Sequence, residues 1–140
     1  MQVLNLSGHA MRRNIGLAIV TEARRRGLQV AVLLRAADDF DPDVPGKDSW
    51  RHRKAGATEV VLASARARAL MSESAAALDA RVVAGRLGTT DILLIDGDRH
   101  PEGVDVTVEE DGGVAIPAIG YAGSEPAGAL AVLLLDGLGN

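Results

Sequence analysis

Three short stretches of this chain hold residues whose types and spacing could do chemistry. The first is residues 8–15, Gly-His-Ala-Met-Arg-Arg-Asn-Ile, which follow a short apolar run. A glycine-led turn opening a helix presents backbone N–H groups and a positive helix end to an anion. Arg12 and Arg13 add guanidinium charge there. The second stretch is residues 36–48, with two Pro, one Gly and five Asp, leading into Lys47, Asp48, Ser49, Arg51 and Arg53. Lys47 and the two arginines could line a groove for a pyrophosphate or a nucleotide-bearing partner. Asp48-Ser49 reads equally well as a helix N-cap pair. The third stretch is Asp96-Gly97-Asp98-Arg99-His100. A carboxylate at the end of an apolar strand can hold Mg²⁺ through water or orient an attacking water. Asp96 before Gly97 is also an ordinary turn pair.

The elements around these stretches place all three at one end of a sheet. Residues 2–7 form a short apolar run ending at Ser7-Gly8. Ile15, Ala18, Ile19, Glu22 and Ala23 then repeat at helical spacing, and Arg24-Arg25-Arg26-Gly27 is a helix stop. Val30 to Leu34 is a continuous aliphatic run, as in a strand buried on both faces. Strand, helix, strand in that order is one βαβ unit with a parallel pair. A short helix is predicted over 49–56 with Ser49 as N-cap, a strand over 59–63, an Ala-rich helix over 73–86 and a strand over 91–95. Residues 104–109 alternate strictly, which predicts a half-exposed edge strand. Residues 114–119 read as a last strand, with Pro117 marking an edge position. Ser124-Glu125-Pro126 opens a final helix that runs to about Leu135 and stops at Gly137. The expectation is one domain over residues 1–140, a three-layer α/β fold with a mostly parallel sheet. In such sheets ligands sit at the carboxyl ends of the strands, where the loops after Leu6, Leu34 and Ile95 lie.

Composition narrows the classes. The chain has 140 residues, 47% of them hydrophobic and 24% charged, enough for one domain with a real core. With 2% aromatics, that core must be built from Ala, Val, Leu and Ile. There is no cysteine, which excludes disulfides, thiolate zinc sites and a cysteine nucleophile. No apolar run reaches membrane-spanning length, and the positive charge near the N-terminus follows the apolar stretch, opposite to a secretory signal. A cytoplasmic protein is expected. The formal charge of −4 argues against a nucleic-acid partner. Arg outnumbers Lys 13 to 2, which locates no site by itself. No metal site is expected: the acids at 38, 39, 41 and 43 lack the glycine and final Glu of a calcium loop, and His9 has no Cys or close Glu beside it. No motif for a catalytic residue is present.

The second stretch carries a resemblance. Residues 40–64, FDPDVPGKDSWRHRKAGATEVVLAS, resemble the MobB family of accessory proteins in molybdopterin guanine dinucleotide biosynthesis. The matching positions are Asp39, Phe40, Asp41, Asp43, Pro45, Gly46, Lys47, Asp48, Ser49, Arg53, Ala55, Gly56 and Ala57. Arg68 to Glu73 and residues 91–101, DILLIDGDRHP, are similar to two further segments of that family. The resemblance covers roughly residues 1–110, and the C-terminal 30 residues carry no matching motif.

The resemblance implies a P-loop GTP-binding fold, with G-x-x-x-x-G-K-[ST] between the first strand and first helix. In that loop glycines let N–H groups wrap the phosphates, Lys reaches the terminal phosphates and the hydroxyl ligates Mg²⁺. Here Gly8 is the first glycine, but Arg13 stands for the second, Asn14 for the Lys and Ile15 for the hydroxyl. Asp96 stands where the family usually has Glu, and His100 matches a family His. The family's His pair before the second loop is Ala37 and Asp38. Three functions stay open. The first is a MobB-like accessory or scaffold protein without NTP hydrolysis and without a bound cofactor. The second is a working GTP-binding protein in which Arg12 or Arg13 replaces the Lys, retaining GTP and Mg²⁺. The third is a structural subunit of an unrelated complex. The resemblance also implies a homodimer, with the strand over 104–109 and the final helix as apolar surface. A molybdenum-cofactor nucleotidyltransferase or a molybdoenzyme would be the partner.

Overall fold

A computed structural model describes residues 1–35, 48–57, 59–63 and 90–139. The predicted helix over 73–86, the loop over 36–47 and Lys47 within it lie outside the described residues, as does the side chain of Trp50. Among the described residues, the sheet has seven strands in the order β3-β2-β4-β1-β5-β6-β7. They are β1 (Gln2–Gly8), β2 (Val30–Arg35), β3 (Glu59–Ala63), β4 (Ile92–Asp96), β5 (Val104–Val108), β6 (Val114–Ile116) and β7 (Tyr121–Gly123). The first five strands are parallel, and β6 and β7 add antiparallel to β5. Among the described residues the α-helices are α1 (Arg12–Arg25), α2 (Asp48–Ala55) and α3 (Ala127–Gly137).

The alternation of side chains along each strand decides what each face buries. Leu4, Leu6, Val30, Val32, Leu34, Ile92, Leu94, Val106 and Val108 form one core with Ile15, Ile19, Val20 and Ala23 of α1. Leu130, Ala131, Leu134 and Leu135 of α3 complete it. Ala31, Leu33, Leu93 and Ile95 on the opposite face are also buried. Strands buried on both faces explain the continuous aliphatic runs at 30–34 and 92–95. Each fully buried Leu or Ile contributes roughly 1.5–3 kcal/mol.

Several sequence expectations are corrected. β5 is an interior strand, lying between β1 and β6. Its alternation arises because one face enters the core while Asp105 and Thr107 face polar neighbours on β1. Val106 is therefore fully buried and cannot be a dimer surface. The strand expected over 114–119 stops at Ile116, and Pro117 opens a 3₁₀ turn that leads to β7, the true edge. α3 begins after Pro126, with no side-chain cap from Ser124. α2 begins at Asp48, so Ser49 lies inside its first turn.

The C-terminus of α1 is tied to α3 through charge. Glu22 accepts hydrogen bonds from Arg25 and Arg26, and Arg26 also pairs with Asp136 at 2.9 Å. The hydrogen bonds from Arg25 and Arg26 hold the Glu22 carboxyl down at about 2, against an ordinary value of 4.5. A depressed carboxyl stabilises the fold fully above its unfolded value and loses that contribution as pH falls through the folded one. The wild-type chain is thus expected to lose stability between about pH 4.5 and 2 more steeply than Glu22→Gln. Urea unfolding at stepped pH checks this, and parallel curves for the two proteins would refute it.

Candidate functional site

Parallel pairing of β1 with β4 sets Leu6 level with Asp96. The turn after β1 and the carboxylate ending β4 are therefore neighbours, although far apart in sequence. Ile92, Leu94 and Asp96 share the face of β4 that meets α1, so the Asp96 carboxylate faces the first turn of that helix. It is 7% exposed and needs a partner. Arg12 supplies it, with Nε donating to Asp96 Oδ1 at 2.7 Å. The same guanidinium donates through Nη1 to the carbonyls of Gly8 at 3.2 Å and His9 at 3.5 Å. One side chain thus bridges β4, the end of β1 and the turn.

The turn is closed by its own hydrogen bonds. The His9 amide donates to the Val108 carbonyl at 2.8 Å, and the Met11 amide to His9 Nδ1 at 3.1 Å. The amides of Arg12, Arg13 and Asn14 donate to the carbonyls of His9, Ala10 and Met11. These are the donors that an anion at a helix N-terminus would use, and each has an acceptor inside the protein. Gly8 is required by geometry: its φ is +99°, and an added Cβ would lie 2.1 Å from the Val108 carbonyl oxygen.

An open cleft of about 420 Å³ lies beside the bridge, lined by Leu6, Ser7, Gly8, Arg12, Gly97, Asp98 and Arg99. Its arginines are matched by acids. Arg99 forks onto Asp105 at 3.0 and 2.9 Å, and that guanidinium holds the Asp105 carboxyl below its ordinary range. Ser7 and Thr107 approach each other through their hydroxyls at 3.4 Å.

The sequence candidates separate accordingly. Gly8, Arg12 and Asp96 come together, and Arg99 lines the same cleft. Arg13 and Asn14 are exposed on α1, and Ile15 is buried in the core. Arg51 is exposed on α2 and does not line this cleft. Asp48, Ser49 and Arg53 belong to α2, and their side chains lie outside the description. His100 is half-buried, and its Nδ1 accepts from the Glu102 amide at 3.2 Å. Sequence reasoning missed Asn5, 3% exposed and bonded to His100 and Asp105. A lone polar residue inside the apolar strand Val3–Leu6 was the available signal, since buried amides demand partners. It also missed His52, buried where α2 meets Gly16 of α1.

A parallel sheet whose first strand abuts the carboxylate-ended strand, with a glycine turn and helix following, is an α/β fold of the P-loop NTPase type. Residues 17–113 match the family described as MobB, molybdopterin guanine dinucleotide synthesis protein B, and the chain belongs to that family. The match begins after the turn at residues 8–15 and ends before β6. The chain is similar to the molybdopterin-guanine dinucleotide biosynthesis adapter protein of Escherichia coli, 36% identical over 91 residues. That alignment covers 62% of this chain and 52% of the relative. It is 30% identical over 81 residues to the adapter protein of the same name from Haemophilus influenzae, covering 56% of this chain and 46% of that one. The chain thus spans about half the length of these curated relatives. No solved structure matches it. Among the described residues, no helix is long and apolar enough to cross a membrane.

Gly8→Ala is expected to destabilise the fold by about 2–3 kcal/mol, through strain at positive φ and collision with β5. Chemical denaturation checks this; a change below about 0.5 kcal/mol, the scale of an ordinary surface substitution, would contradict the reading of the turn.

Proposed function

We propose that this chain is an adapter in molybdopterin guanine dinucleotide biosynthesis that works by binding partners and does not hydrolyse nucleotide. Family membership and the names of its relatives support the adapter role. The observation that carries the second half is the Arg12 guanidinium on Asp96, Gly8 and His9. A nucleotide phosphate with Mg²⁺ needs donors from the turn, a Lys, a hydroxyl ligand and a free carboxylate. In this chain the turn amides named above have protein acceptors and the carboxylate has a cation. Asn14 and Ile15 stand where the Lys and hydroxyl belong. These residues do not fit Mg²⁺-nucleotide.

The partners in this reading are a second copy of the chain and a molybdenum-cofactor nucleotidyltransferase or molybdoenzyme. Val132 and Leu133, large apolar residues exposed on α3, are the surface it assigns to self-association. The competing reading, GTP binding with arginine in place of the Lys, draws on the position of Arg12 in the cleft. Its charge is directed to Asp96, however, which removes it from a phosphate.

Titration calorimetry with GTP, GDP and ATP, with and without Mg²⁺, separates the two. The proposal predicts no binding tighter than about millimolar, weaker than about 4 kcal/mol. Micromolar, Mg²⁺-dependent binding would overturn it.

A further inference from the structure

β4 and β5 are parallel and lie on either side of β1, so the chain must cross β1 to connect them. Parallel connections of this kind usually take a dozen or more residues and carry a helix. Here residues 97–103 make the crossing alone. They pass over the face of β1 that carries Asn5, opposite the face carrying Leu4 and Leu6.

Two side chains hold this segment. Asn5 Nδ2 donates to the His100 carbonyl at 2.9 Å, and the His100 amide donates back to Asn5 Oδ1 at 3.0 Å. The second hydrogen on Asn5 Nδ2 reaches Asp105 Oδ1 at 3.1 Å, and Asp105 in turn takes the Arg99 fork. Gly103 leaves the space for this amide, since an added Cβ would lie 2.6 Å from Asn5 Nδ2. The Gly103 amide also closes a turn onto the His100 carbonyl at 3.0 Å. Arg12 holds the root of the segment through Asp96.

In nucleotide switches, segments beside the site are ordered by a phosphate and its metal and released when these leave. We infer that Arg12 and Asn5 together hold residues 97–103 in one fixed arrangement, so that this segment is a preset surface of the protein and not a nucleotide-driven switch. Arg12 does from within what a bound cation does from outside: it joins the turn after β1 to the carboxylate of β4. Asn5 then fixes the middle of the segment, where His100 uses its amide, its carbonyl and its ring in internal bonds. The Arg12 half of this inference rests on the nucleotide-independent reading above; the Asn5 half does not.

Amide hydrogen exchange on the full chain, followed by NMR, tests it at the His100, Glu102 and Gly103 amides. Wild-type protein is expected to protect these amides equally with and without GTP and Mg²⁺. Arg12→Ala and Asn5→Ser are each expected to raise their exchange at least tenfold, with the amides of β2 unchanged as the internal control. If Asn5→Ser fails to fold, Asp105→Asn on the exposed end of the same network reads the same amides. Exchange unaltered in the variants, or altered in wild type by nucleotide, overturns the inference. Nucleotide binding seen by calorimetry with no change in exchange would defeat the proposed function and the Arg12 half of the inference, and leave the hold of Asn5 on the segment standing.

Discussion

An aspartate that ends an apolar strand carries its charge to the edge of a core, and such a charge costs several kcal/mol unless it is paired. Asp96 is nearly buried, and its partner comes from the first turn of α1. That one ion pair sets much of what surrounds it. It joins β4 to the turn after β1, which Gly8 allows to fold against β5 through a positive φ. It also places a cation in the cleft where the fold type puts its ligand. The turn amides, drawn into bonds with His9, Ala10, Met11 and Val108, complete a small closed structure.

The crossing over β1 follows the same logic on the opposite face. A helix would cover the sheet with apolar side chains. A short segment without one must satisfy its own backbone, and it does so on Asn5. Asn5 and Arg12 thus act on the same segment from opposite faces of the sheet. In the proposed adapter role such rigidity would leave less ordering to be done on binding.

Much of the fold was legible because buried parallel strands are continuous aliphatic runs and α1 has a clear apolar stripe with a basic, glycine-closed end. β5 was misread for a physical reason. Alternation reports one polar, half-exposed face, which β5 has, with Asp105 and Thr107 beside Asn5, Ser7 and Arg99; it does not report whether the strand has a neighbour on both sides. β7 is three residues long and too short to leave a periodic signal. At the site, Gly8, Arg12 and Asp96 were each visible as candidates. That Arg12 turns onto Asp96, 84 positions further along the chain, depends on strand order, which no local pattern encodes. The reading of 104–109 as a docking surface failed with the strand itself, since Val106 is core.

Arg12 and Asp96 act as one unit at the end of β4. A double-mutant cycle of Arg12→Ala, Asp96→Asn and the double variant, measured by urea unfolding at neutral pH, tests it directly. A coupling of about 1–2 kcal/mol is expected, as for a hydrogen-bonded pair of which one member is nearly buried. Additive effects, with a coupling within about 0.3 kcal/mol of zero, would contradict it.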